Sequence, residues 1–175
     1  LFEVEKLSFE DKNIFNQEIT EWPSSDLLKN ELEVLGFYFS NHPLSLYPKN
    51  YFVKNNIIDF DDIIADKNIV HSKVVGAILD IKERSNKEGK KYAFLTISNS
   101  KTQFELSIFS DKLKEFRHLI KEGNVLIFYI NISRDNENIR MIIRKIEDLD
   151  NKFSKQKMKI NVYLSKDKDF KLIDD

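Results

Sequence analysis

The chain has 175 residues, a formal net charge of −1, no cysteine, four glycines and 21 aromatic residues, 14 of them Phe. At 41% hydrophobic and 33% charged residues its composition is that of an ordinary globular protein, which excludes wholesale disorder, and the length suits about one domain. No apolar run approaches the roughly 18 residues that span a bilayer, no signal peptide stands at the start, and the lack of Cys removes disulfides, thiolate zinc sites and Cys nucleophiles together; a cytoplasmic protein without a membrane partner is expected.

The first third is acidic. Residues 1–68 carry 6 Lys/Arg against 13 Asp/Glu, a net of −7. The chain opens on Leu1 rather than Met, as expected of a piece of a longer protein, and residues 1–22 show no sustained period, which predicts a short irregular lead-in. After Pro23, the residues Ser24, Ser25 and Asp26 offer helix caps, and Leu27, Leu28, Leu32 and Leu35 recur at helical spacing. A helix is expected over about 25–39, ending before His42-Pro43, because the residue before proline avoids the helical region. A loop containing Pro48 follows, then a short helix around Phe60–Ala65 with Asp59 or Asp61 as its cap.

From Ile69 the pattern turns strand-like. Residues 74–82 place Val75, Ala77, Leu79 and Ile81 on one face by alternation, and Gly76 within that run suggests a bulge. A polar loop, Arg84 to Lys90, precedes strands at Tyr92–Ile97 and Phe104–Ile108. A helix is expected over Asp111–Lys121, capped at Ser110 and ended by Gly123, with Leu113, Phe116 and Ile120 on one stripe. Strands at 125–133 and 139–147 flank an Asp135–Asn138 turn. The order β-β-β-α-β-β over about 80 residues is that of a five-stranded OB-fold barrel, a mainly β fold with α, here preceded by a small helical segment. A polar linker and one more strand, Met158–Leu164, complete the chain. The expected domains are thus 1–68, helical; 69–150, the OB-fold; and 151–175, a linker with the start of a further domain.

Enzyme chemistry is poorly supplied. His42, His71 and His118 share no metal-ligand spacing and stand in no nucleophile setting. Four dispersed glycines form no phosphate-binding loop. The acids Asp59, Asp61, Asp62 and Asp66 sit where a helix start favours negative charge, so a structural role outweighs a two-metal site. No cofactor, metal or catalytic residue is expected.

Binding chemistry is richer. Residues 69–150 carry 15 Lys/Arg against 12 Asp/Glu and residues 151–175 carry 7 against 4, each a net of +3. The segment Lys82–Lys91 holds five cations and two anions, and in an OB-fold the loop between strands 1 and 2, with that between strands 4 and 5, borders the oligonucleotide-binding face. Candidate nucleic-acid-binding residues are Lys82, Arg84, Lys87, Lys90 and Lys91 in the first loop, Tyr92, Phe94 and Phe104 as stacking surfaces, and Arg134, Arg140 and Arg144 near the second loop. Tyr92 and Phe94 share a face by alternation; whether it points outward or into the barrel is open at this stage. Because 23 Lys but only five Arg are present, each Arg carries more weight.

The stretch Glu31-Leu32-Glu33-Val34-Leu35-Gly36-Phe37-Tyr38-Phe39-Ser40-Asn41-His42-Pro43-Leu44 closely resembles the "E-x-E-x-L-G-F-Y-x-S-G-H-P-L" segment that precedes the OB domain in the bacterial DNA polymerase III alpha-subunit family. Lys91–Ile97 resembles that family's "K-x-M-A-F-x-T-L-x-D" strand and Phe104–Phe109 its "x-E-V-x-V-F" strand; Trp22 and the following Ser and Leu residues look like its lead-in. Asn41 departs from the usual glycine, and Ser98-Asn99-Ser100 from the usual acidic turn. The resemblance spans roughly residues 20–150. It implies a C-terminal slice: the end of the duplex-binding helical region, the OB domain, and the start of the domain that binds the clamp-loader tau subunit. It also implies that the polymerase palm and its catalytic carboxylates lie outside this chain, so the fragment is expected to be non-catalytic and to bind single-stranded template DNA during replication. The implied partners are single-stranded DNA, the remainder of the polymerase chain, the sliding clamp and tau; no clear clamp-binding motif is visible. The competing expectation is a protein-interaction module that packs against other polymerase domains or replisome subunits without touching DNA. An OB domain of a tRNA-charging enzyme would need active-site motifs that are absent here.

Overall fold

A computed structural model describes residues 22–135 and 138–155, and the chain divides into two units between His42 and Pro43. The expected lead-in over residues 1–22 and the strand at 158–164 fall outside the described residues, apart from Trp22 itself.

In the first unit, helix α1 (Ser24–Leu35) is shorter than the expected 25–39. Gly36 stops it: at φ 76° it adopts the left-handed conformation that ends helices, and its N–H donates to the Leu32 carbonyl. The following loop is pinned by Glu31, whose carboxylate accepts the N–H groups of Phe39 (2.9 Å) and Ser40 (3.1 Å). Tyr38 meets His42 edge to face at 5.2 Å.

The second unit begins at Pro43 rather than at residue 69, because the segment expected to be loop contributes to the packing of the barrel. A 3-10 turn (Pro43–Leu46), α2 (Lys49–Lys54) and α3 (Phe60–Ala65) precede the strands. Asp59 caps α3 by accepting the Phe60 N–H at 3.0 Å. Five strands follow, β1 (His71–Ser85), β2 (Lys91–Ser98), β3 (Gln103–Ile108), β4 (Val125–Asp135) and β5 (Asn138–Asp148), with α4 (Ser110–Phe116) between β3 and β4 and α5 (Leu149–Lys155) after β5. Helix α4 ends before the expected residue 121, and α5 occupies part of the expected polar linker. The strands close into a barrel in the order β1-β2-β3-β5-β4, all neighbours antiparallel except β3 and β5, which run parallel with Ser107 beside Ile142. This is the expected five-stranded OB-fold.

The barrel interior is filled by alternate residues, among them Ala93, Leu95 and Ile97 of β2, Leu106 and Ile108 of β3, and Phe128 and Ile143 of β4 and β5, closed off by Ile63 of α3 and by Leu113 and Phe116 of α4. Strand β1 departs from the single face expected of Val75, Ala77, Leu79 and Ile81. Its register slips between Ile78 and Asp80, so Val74 and Ile78 before the slip and Ile81 after it face the same interior. The bulge is therefore there and not at Gly76. Gly76 serves close approach instead: a Cβ at this position would lie 2.3 Å from Ile97 Cγ2 and 2.7 Å from the Ser98 carbonyl oxygen.

Val75 belongs to a second apolar cluster on the outside of the barrel. Leu44, Tyr51, Ile127 and Leu149 form its buried centre, with Tyr47, Phe52, Tyr129 and Phe153 packed around it. The 3-10 turn, α2 and α5 thereby cover the outer wall of β1 and β4, which leaves the opposite wall, formed by β2, β3 and the β1 and β5 ends next to them, as the more accessible side.

Candidate nucleic-acid interface

Strand β1 outruns the barrel. Its last residues pair only with β2, placing Lys82 opposite Phe94, Arg84 opposite Tyr92 and Ser85 opposite Lys91. What the residue pattern suggested was loop is thus a two-stranded arm, and the turn proper is Asn86–Lys90. Asn86 orders that turn: its Oδ1 accepts the N–H groups of Glu88 (3.0 Å) and Lys90 (2.8 Å), and its carbonyl accepts that of Gly89, which sits at φ 76°. Lys82, Arg84, Lys87, Lys90 and Lys91 are all exposed. Two are paired on the surface, Lys82 with Asp80 (3.1 Å) and Lys90 with Glu88 (3.0 Å).

The orientation of the β2 aromatics follows from their neighbours. Ala93, Leu95 and Ile97 are fully buried, so Tyr92 and Phe94 lie on the outer face, half-buried, with their rings edge to face at 5.6 Å. On β5, Met141 and Ile143 point inward, and Arg140 and Arg144 are exposed on the outer wall. The parallel register of Ser107 with Ile142 carries that wall across from β2 through β3 to these two arginines. The structure therefore gathers the arm cations, Tyr92, Phe94, Arg140 and Arg144 on one accessible side.

Two expected members do not join them. Phe104 is buried, 6% exposed, because it shares the inner face with Leu106 and Ile108; its ring lies on Phe60 of the α3 helix. Arg134 turns its guanidinium onto backbone, donating to the carbonyls of Ile69 (2.6 Å), Ile63 (2.6 Å) and Asp66 (3.2 Å). It ties the end of α3 to β4. Conversely, Phe109 was not singled out from the residues and is 52% exposed beside Tyr92, ring centroids 6.5 Å apart. Alternation from Leu106 and Ile108 would have indicated its outward position.

Among the described residues no group of three or more His, Asp or Glu side chains is arranged to hold a metal ion, and no helix is long and apolar enough to cross a membrane. Asp59, of the acidic cluster, accepts hydrogen bonds from Phe60 N, from Asn99 Nδ2 (3.2 Å) and from Lys101 Nζ (2.5 Å), which fixes α3 to the β2–β3 turn.

Residues 73–149 match the family model of the OB-fold nucleic acid binding domain. The DNA polymerase III alpha subunit of Buchnera aphidicola is 28% identical over 148 residues, 83% of this chain, and that of Bacillus subtilis 29% identical over 154 residues, 86% of this chain. Over most of its length the chain is thus similar to DNA polymerase III alpha subunits. It spans 13% of the length of each of these two relatives. Among solved structures, the mitochondrial single-stranded DNA binding protein Rim1 of S. cerevisiae is 13% identical, covering 45% of this chain and 92% of that one at a TM-score of 0.39. The stretch that matches the OB-fold model, residues 73–149, includes the arm, the β2 aromatics and the β5 arginines.

Proposed function

We propose that the OB domain binds single-stranded template DNA during replication, through cations that meet the phosphates and aromatic rings that stack on bases. The observation that carries this reading is the cross-strand pairing of Lys82 with Phe94 and Arg84 with Tyr92, which alternates charge and aromatic surface along one protruding ribbon. Neither kind of residue is explained by packing, since the wall that needs covering lies on the other side of the barrel. Stacking tolerates any base and phosphate contact ignores sequence, so binding is indifferent to sequence and falls with salt, by about 0.7 in log Kd per log unit of salt for each phosphate neutralised.

In this reading the segment contributes binding and no catalysis, needs no cofactor, and works in the cytoplasm as part of a longer polymerase chain. Arg84, Lys87, Lys90, Lys91, Tyr92, Phe94, Arg140 and Arg144 are its contacts. A second reading concerns the opposite wall: Leu46 and Val53, on the elements that cover it, are 66% and 74% exposed. They favour a protein contact there, with the remainder of the polymerase chain or with replisome subunits such as the sliding clamp or tau. Fluorescence anisotropy with labelled oligo-dT at low salt tests the DNA reading. Micromolar binding that is lost when Arg84, Lys87, Lys90 and Lys91 are changed together to Ala supports it; binding indifferent to these changes, or none, sinks it.

A further inference from the structure

We propose that Phe109 is a base-stacking residue and that it, rather than Phe94, shares a platform with Tyr92. The proposal rests on the single-strand reading above and gives a role to the aromatic residue that closes the Phe104–Phe109 segment. Phe109 follows β3 directly and holds the capping position of α4: the Leu113 N–H donates to its carbonyl at 2.7 Å, but its side chain caps nothing. Ser, Thr, Asp and Asn are favoured at such positions because a side-chain oxygen satisfies a free helix N–H. Phenylalanine forgoes that bond and, at 52% exposure, recovers little burial in exchange. A residue that breaks the local rule without a packing gain marks a functional position.

Ring geometry separates the three aromatics. The planes of Tyr92 and Phe109 are inclined by 36° with centroids 6.5 Å apart, nearer parallel than perpendicular. Phe94 instead meets Tyr92 at 85°, edge on, at 5.6 Å. An edge-on neighbour buttresses a ring, whereas two similarly inclined rings can each receive a base. Their separation exceeds the roughly 3.4 Å between stacked bases, so the bound strand is extended between them. The ligand is an unpaired nucleobase beside the arm, where Arg84 is the cross-strand partner of Tyr92.

The test uses the whole 175-residue chain, labelled oligo-dT and an abasic oligonucleotide of equal length. Phe109→Ala is expected to weaken oligo-dT binding about 5- to 20-fold, the lower part of what one lost base stack costs. Abasic binding and the salt slope stay unchanged, and Phe109→Trp restores oligo-dT affinity. Because the side chain is largely exposed, thermal unfolding of both variants should match the parent. The proposal is overturned if Phe109→Ala binds oligo-dT as tightly as the parent, or loses oligo-dT and abasic binding in equal proportion. If the arm-cation variant loses binding while Phe109→Ala does not, the single-strand reading stands and the stacking role falls. Failure of the parent to bind oligo-dT removes both.

Discussion

Phe60 and Phe104 lie face to face, ring centroids 4.3 Å apart and planes within 6°. This stack joins α3 to the barrel interior, and it makes Phe104 a structural residue although it sits on a strand of the wall proposed to bind DNA. Phe104→Ala should destabilise the chain by about 3–5 kcal/mol, the usual cost of emptying a buried Phe site. In the fraction that stays folded, oligo-dT affinity should be that of the parent. Chemical unfolding paired with anisotropy below the transition separates the two effects; an affinity loss without a stability loss would contradict the buried placement.

Arg134 bears on the same question for the cations. Its three carbonyl partners belong to α3 and the segment leading into β1, so its charge is spent on the fold. Arg134→Ala leaves those carbonyls short of a donor and should cost about 2 kcal/mol, within the range for hydrogen bonds to a charged group. Lys cannot reach all three with one ammonium group, and Arg134→Lys should recover only part of the loss. The salt slope of oligo-dT binding should not change for either variant, in contrast to Arg140→Ala or Arg144→Ala, each of which should make it shallower by about 0.7 if that side chain meets a phosphate.

These two residues show where sequence reasoning reached and where it stopped. The alternation of Phe104, Leu106 and Ile108 is sufficient to find β3, but period 2 alone does not say which face the barrel covers, so Phe104 stands as a stacking candidate until the fold shows it inside. Strand β1 was harder, because the register slip at Ile78–Asp80 changes the phase of the pattern and because Val75 is covered on the outer wall as well. Period-2 contrast fades when both faces of a strand are covered. The 3-10 turn, α2 and α5 are too short to hold by propensity and owe their shape to packing; Leu44, Tyr51 and Leu149 became recognisable as core residues only once Ile127 was beneath them. The partners of Arg134 are backbone carbonyls far along the chain, which leave no mark in residue types.

Acid stability should depend on Glu147. Burial pushes its carboxyl up, but hydrogen bonds from Lys145 (2.8 Å), Lys152 and the Tyr129 hydroxyl (2.8 Å) outweigh it and bring the carboxyl down to about 2. A depressed acid stabilises the fold above its ordinary value of 4.5, and that contribution is lost as pH falls from there through about 2. Lys152 belongs to α5 and Tyr129 to the covered wall, so the network holds α5 in place. Glu147→Gln should lower the melting temperature at neutral pH, and the gap to the parent should narrow as pH drops below 4.5. A gap that stays constant down to pH 2 would show that the carboxylate is not held in this way.

Lys82 offers a gain-of-affinity test of the interface. Its ammonium lies 3.1 Å from Asp80 on the surface of the arm, with both side chains substantially exposed. The pair is therefore weak, worth at most about 1 kcal/mol, yet the Asp80 charge still repels a nearby phosphate and competes for Lys82. Asp80→Asn keeps the oxygen that accepts the Ile81 N–H at 2.9 Å, so the bulge should persist. Oligo-dT affinity should rise about twofold at low salt, the gain shrinking as salt screens the charges. In a Lys82→Ala background the same substitution should give a smaller gain, because only the direct repulsion remains to be relieved. Equal gains in both backgrounds would mean that Lys82 does not take part in binding, and no gain in either would place the phosphates away from this side of the arm.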